Sequence, residues 1–466
     1  MSILLFYGGV YIFFRNGKAC ETVKNLLLSL CIVFTCALLF SPVFLLCGKE
    51  EKKAAPLSEI SALRAKAASG DKVSAFFLAD AYFYGKNVRK NPVLALYWYR
   101  IAAQKGIAEA QYNLACCLES GSGCRKNMEE ACFWYRLAAE QKFVPAVLRT
   151  FHLYRTGVKD KEGKILVRQS LEKGIALLKD ESFRENEEIQ ILLGSCLLRK
   201  GSTEKEQKEA FELLSRLEAK NKPSGVVLRM LADCYYGGLG CEKNPEKMVL
   251  YLQKAAALQD PEAVAKLGFL WEYGLSSLPK DLKKAFACYR KAAFLGHAMG
   301  QYKYAEFLLA GAGKKKEILQ KALVWYQKSA SQECGPALHH LGVIYRTGGD
   351  GIERDLAKAA GYFFRAAKSG YAPAQYSLAL MFRDKQVNGR EDSEAAFYWF
   401  LQAALQGHLP SLHEAAECYL EGRGVERSFV NGVRLLRAAA EKGDFEAQRK
   451  LQIIRHAESY SARGSL

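Results

Sequence analysis

Along most of the chain, apolar residues return at helical spacing in blocks that come in pairs, and the clearest pair spans residues 337–370. Ala337, Leu341, Gly342 and Tyr345 fall on one helical stripe, which predicts a first helix ending at Gly348-Gly349, where glycine accepts a left-handed C-cap at least cost. A polar loop follows. Asp355 then stands where a carboxylate can cap a helix N-terminus, and Ala359, Tyr362, Phe363 and the pair Ala366-Ala367 line the apolar face of a second helix that stops at Ser369-Gly370. The block predicts a helical hairpin.

The hairpin repeats. The small or apolar residue that opens the first-helix stripe recurs at Ser74, Ala110, Ala146, Ile189, Val227, Ala263, Gly300, Ala337, Ala374 and Ser411, in steps of 36, 36, 43, 38, 36, 37, 37, 37 and 37, and Ala447 opens a partial copy. A period of this length predicts a solenoid, in which each unit buries its open face on its neighbours. Alanine pairs such as Ala102-Ala103, Ala292-Ala293 and Ala439-Ala440 suit close helix contacts. The aromatic runs before them, Tyr97-Trp98-Tyr99, Phe133-Trp134-Tyr135, Trp325-Tyr326 and Phe397-Tyr398-Trp399, are expected to fill the core rather than to form a stacking platform, because aliphatic Leu213-Leu214 falls at the same repeat position.

These residues resemble the Sel-1-like repeats, a branch of the tetratricopeptide-like helical solenoids. The pattern is met closely over 263–296, 337–370 and 411–443 and loosely over 146–220, and the loop glycines Gly121-Ser122-Gly123, Gly238-Leu239-Gly240 and Gly422-Arg423-Gly424 set it apart from the plain tetratricopeptide repeat. The resemblance implies an all-α, right-handed α/α superhelical solenoid of about ten hairpins. It further implies a non-enzymatic scaffold or adaptor that binds other proteins along its surface, with β-lactam hydrolysis, reported for cysteine-rich relatives, as the alternative.

The repeats occupy 57–457, degenerate over 146–220, where the polar run Glu181–Gln190 stands out; residues 458–466 are expected to be a disordered tail. Leu57–Ser69 reads as an N-terminal cap helix. Ahead of it, residues 1–25 form a tail with a short apolar stretch, residues 26–47 are free of charge, and 48–56 form a charged linker. As a helix, a run of that length rises about 33 Å, enough to cross a bilayer core, so a single transmembrane signal-anchor is expected. A cleaved signal and a lipid-modified Cys47 remain open alternatives. Arg15, Lys18 and Lys24 before the run suit an anchor with its short tail inside and the repeats on the extracytoplasmic side, whereas the many cysteines favour a reducing cytoplasm.

Sixty-seven Lys and Arg against 49 Asp and Glu give a net charge of +18, spread over the repeats apart from Lys314–Lys316. Electrostatic binding to anionic lipid or nucleic acid is thus a further alternative, although no nucleic-acid module is legible. Among the 14 cysteines, Cys117/Cys124 and Cys234/Cys241 repeat one spacing and could lie within bonding reach, but buried free thiols are the expected state. Ser69/Lys72, Ser170/Lys173 and Ser202/Lys205 show the Ser-x-x-Lys spacing without the other elements of a penicillin-recognising site. His297 and His408 share one inter-repeat position, and adjacent His339 and His340 diverge by about 100° on a helix. No catalytic, cofactor or metal residue is expected, the binding residues are unassigned, and a monomer is anticipated.

Overall fold

In a computed structural model, the protein is described over residues 4–7, 10–13 and 57–463, except 161, 221, 276–277, 313–315, 350–351 and 388. The candidate membrane span 26–47 lies outside the described residues. Among those described, no helix is long and apolar enough to cross a membrane.

Two units divide the chain at Gln190/Ile191, and each is an α/α solenoid of antiparallel hairpins. The reference block behaves as its pattern predicts: one helix runs Gly335–Thr347 and the second Leu356–Lys368, with the Asp355 carboxylate accepting the Lys358 N–H at 2.9 Å. One detail differs. Gly348 has φ +67° but ψ −164°, so the helix ends by turning into an extended bridge between Gly349 and Ile352 rather than in a left-handed cap. The left-handed cap occurs instead at Gly85, Gly121, Gly238 and Gly422, ahead of the tighter loops.

All the residues that define the period are buried, from Ser74 to Ala447. The alanine pairs make the contact expected of them: a Cβ placed on Gly300 would come within 2.6 Å of the Ala292 Cβ, so the second helix of one hairpin lies directly on the first helix of the next. Glutamines reinforce that seam. Gln111, Gln301, Gln375 and Gln448 donate through Nε2 to the carbonyls of Ala103, Ala293, Ala367 and Ala440 at 3.1–3.4 Å. Their Oε1 atoms accept in turn from Gln141, Gln332 and Gln406, one repeat on, in the first three cases.

The aromatic runs are only partly core. Tyr99, Tyr135, Tyr289, Tyr326, Phe363 and Phe400 are fully buried, whereas Tyr97, Phe133 and Tyr398, two residues earlier on the helix, are 56, 45 and 51 % exposed. Consecutive residues point about 100° apart on a helix, so three in a row cannot share one buried stripe; the expectation of a wholly buried run fails there.

Unit 1 departs from the all-α expectation in two places. Leu4–Tyr7 pairs antiparallel with Val10–Phe13, and Val158–Lys159 pairs with Ile165–Val167. The second ribbon occupies the stretch where the repeat step lengthens. It is followed by a short helix, Leu171–Leu178, and a 3-10 turn, Glu181–Phe183, that buries Phe183 within the polar run. Gly174 stands close against Phe151, at the place that Ala131, Ala285 and Ala359 take in other repeats, four residues after the N-cap. At the other end of the chain, the last helix spans Phe445–Arg463 and so extends past Ala457, no glycine or proline intervening before Gly464.

Candidate functional site: a charged ladder on the first helices

The first helices carry a periodic array of charged side chains that reach across repeats. In unit 1, Arg149 bridges to Glu119. In unit 2, Lys266 bridges to Asp233 at 2.7 Å, Lys303 to Glu272 at 3.3 Å, Arg383 to Glu414 at 3.0 Å and Lys450 to Glu417 at 2.7 Å. The rule is positional. One partner lies three residues beyond the small anchor of its repeat, and the other lies six or nine residues beyond the anchor of the repeat before it. Arg229 joins the array by reaching Asp260 at 3.3 Å and Glu262 at 3.1 Å.

Buried tyrosines of the second helices donate to first-helix acids, two of them the rung acids Glu119 and Glu272. Tyr99 reaches Asp80 at 2.5 Å, Tyr135 reaches Glu119 at 2.7 Å and Tyr289 reaches Glu272 at 2.6 Å. Burial and the adjacent carboxylates push these phenols far above their ordinary range, so they remain donors. Tyr326 occupies the equivalent place but has no hydrogen-bond partner for its buried hydroxyl. Leu309 stands where Glu119 and Glu272 stand in their repeats.

A paired substitution tests this reading. Tyr135→Phe is expected to cost about 1–2 kcal/mol, since a buried bond to a charged acceptor is lost. Tyr326→Phe should be neutral or stabilising, because it removes an unsatisfied group. Urea melts of the two variants decide it, and equal losses would sink the distinction.

The histidines are structural or stacked. His297 Nδ1 accepts the Gly300 N–H at 3.1 Å, and His408 Nδ1 lies 2.8 Å from Ser411 Oγ, both at helix starts. His339 and His340 do diverge. His339 Nε2 lies 3.0 Å from Ser377 Oγ, while the His340 ring stacks on Tyr326 with centroids 4.6 Å apart. Burial lowers the His339 pKa from 6.5 to about 4. The unfolded chain therefore takes up a proton that the fold refuses, so stability is whole above about pH 6.5 and declines as pH falls toward 4. His339→Gln should flatten the fall in melting temperature between pH 7 and pH 5, and an unchanged slope would remove His339 as its cause.

Residues singled out in the sequence as possible chemistry have plain duties. Ser170 Oγ caps its helix by accepting the Lys173 N–H at 3.3 Å, Ser69 Oγ donates to the Lys66 carbonyl, and Ser202 Oγ accepts from Gln207 at 3.3 Å. Cys124 Sγ points to the Cys117 carbonyl oxygen at 3.8 Å. Burial pushes the Cys117 and Cys234 thiols up to about 12 and those of Cys132 and Cys418 to about 11, which leaves little reactive thiolate. Mass spectrometry after alkylation without reductant should find Cys117, Cys124, Cys234 and Cys241 all labelled once unfolded; intact bridges would contradict it. Among the described residues, no group of three His, Cys, Asp or Glu side chains could hold a metal ion.

The Sel1 repeat model matches residues 72–107, 108–143, 189–220, 227–260, 261–297, 298–334, 335–371, 372–408 and 409–444, more than half of the chain. The chain belongs to the Sel1 repeat family. The unmatched stretch 144–188 contains the ribbon and the short helix described above. Among curated proteins, this Sel1 repeat chain is similar to Chitin synthase regulatory factor 3 of Schizosaccharomyces pombe, 33% identical over 85 residues, which is 18% of this chain and 9% of that protein. It is also similar to Activator of C kinase protein 1 of Saccharomyces cerevisiae, 34% identical over 113 residues, 22% of this chain and 18% of that one. The chain thus spans less than a fifth of either relative. Solved structures include c5321, a protective antigen of uropathogenic Escherichia coli with an SLR fold, at 25% identity and TM-score 0.49 over 86% of this chain and 90% of that one. A Sel1 repeat protein from Oxalobacter formigenes aligns at 22% identity and TM-score 0.44 over 90% and 99%. Sel1 repeat solenoids generally bind other proteins.

Proposed function

We propose that this Sel1 repeat protein is a non-enzymatic scaffold that holds other proteins against the first-helix face of its repeats. The observation that carries this reading is the ladder: at five steps between repeats charged side chains stand in one fixed register, so an extended partner segment meets a different but aligned set of groups along the first helices. The regulatory names of the two fungal relatives fit an adaptor role. The charge-free run 26–47 supports a membrane tether, and the basic residues before it support placing the repeats on the extracytoplasmic side.

Affinity capture from gently solubilised membranes should recover a partner stoichiometrically; recovery of none, with turnover of a chromogenic β-lactam instead, would reverse the reading. Protease added to intact cells or spheroplasts should digest the repeats and spare a cytosolic control. Survival of the repeats until lysis would put the scaffold in the cytoplasm.

A further inference from the structure

The ladder of unit 2 has two consecutive steps without a rung. From the repeat anchored at Gly300 to the next, the expected partners are Leu309 and His340; in the step after that, they are Arg346 and Ser377. Leucine cannot pair with His340. Glu306 is near, but it already accepts from the Tyr302 hydroxyl and bridges Lys303 at 3.1 Å. At the second step, Ser377 is committed to His339. Arg346 is left with no carboxylate partner among the described residues; its guanidinium lies 5.8 Å from the centre of the Phe363 ring. In the following step, Arg383, at the same position as Arg346, does hold an acid, Glu414. Among the described residues, an arginine half-buried beside aromatic rings, one place along from an arginine that is neutralised, lacks the anion supplied there.

We propose that this gap is where an acidic segment of the partner protein docks, its carboxylate closing the rung at Arg346 beside Ser377 and His339. The proposal rests on the scaffold reading and deepens it by naming the partner's chemistry. Three features favour a carboxylate. A planar guanidinium donates to both carboxylate oxygens in a two-pronged bond, and the Phe363 face holds the fork in place. The neighbouring Tyr371 and Phe363 rings reduce solvation around the site, so the pair forms where charge is less screened than on an open surface. The acids around it, Glu306, Asp384 and Glu414, are already held by Lys303 or Arg383, so none of them closes the rung at Arg346.

The test uses the full chain in detergent with a fluorescein-labelled hexaglutamate peptide, and hexalysine as the reference of opposite sign. Arg346→Ala should weaken hexaglutamate binding about tenfold, the loss expected for one charged hydrogen-bonded contact, and Arg346→Lys should restore part of it. Ser377→Glu supplies the missing acid from within, so it should also weaken binding while raising the melting temperature. Arg434→Ala, on an exposed second-helix surface, should change nothing. Native-like binding by Arg346→Ala, or an equal loss from Arg434→Ala, would overturn the proposal. So would a single-stranded oligonucleotide of equal charge that binds with the same dependence on Arg346, which would give the gap to nucleic acid. The scaffold reading is judged separately: a partner recovered from membranes equally well by Arg346→Ala removes the gap as its site and leaves the scaffold standing.

Discussion

Replacing Gly424 by alanine is expected to destabilise the C-terminal repeats by about 3 kcal/mol or more. Gly424 has φ +69°, a conformation that already disfavours any side chain, and a Cβ there would fall far inside van der Waals contact of the Ser393 carbonyl. Ser393 opens the second helix of the preceding hairpin, so the clash is with backbone that cannot rotate away. Gly123 against Pro92 and Gly240 against Gln207 repeat this geometry. Two controls separate the causes. Gly443→Ala meets only the unfavourable φ of +87°, with nothing near its Cβ, and should cost about 1–2 kcal/mol. Gly361→Ala, in a helix with open space around it, should gain about 0.5–1 kcal/mol. Hydrogen exchange should show the Gly424 loss concentrated over residues 393–441, and an effect no larger than that of Gly443 would remove the contact from the account.

The second large effect is at the alanine seam. Ala367→Trp is expected to lower stability by about 3 kcal/mol and to loosen the following repeat, because overpacking a close contact forces backbone apart. Ala367 is fully enclosed, and its carbonyl receives Gln375 of the next first helix, so a ring inserted here also breaks that bond. Lys368→Trp, one residue on and exposed, should change stability by less than about 0.5 kcal/mol. A melting temperature unchanged in Ala367→Trp would mean that the pair is not a contact.

The period, the hairpins and the alanine contacts were legible because each is local: a stripe of small residues at helical spacing has few other uses. The loop glycines were legible as a pattern but not as a cause, since the carbonyls of Pro92, Gln207 and Ser393 lie a repeat away from them. The aromatic runs carry residue type but not direction; Tyr97 and Tyr99 have the same side chain but point to different sides of one helix. Much of the positive charge, seen as scatter in the sequence, serves the seams: Lys105, Lys291, Arg365 and Lys442 donate to the carbonyls of Gly70, Ala256, Ala330 and Gly407 in the preceding repeat. Such cations suit helix C-termini, where carbonyls lack partners. The ladder itself could have been found by writing the repeats in register, where Arg149 falls against Glu119 and Lys303 against Glu272. Composition alone hides it, because each rung joins residues about one repeat apart.

Partner binding at the first-helix face is measured directly by site-specific photo-crosslinking. A photoreactive residue placed at Val343 or Lys303, on first helices, and at Arg434 or Tyr398, on second helices, would be irradiated in cells carrying the full chain. Adducts to the same partner from the first pair and none from the second are the predicted result. Adducts confined to Arg434 and Tyr398 would contradict it and move the binding face to the second helices.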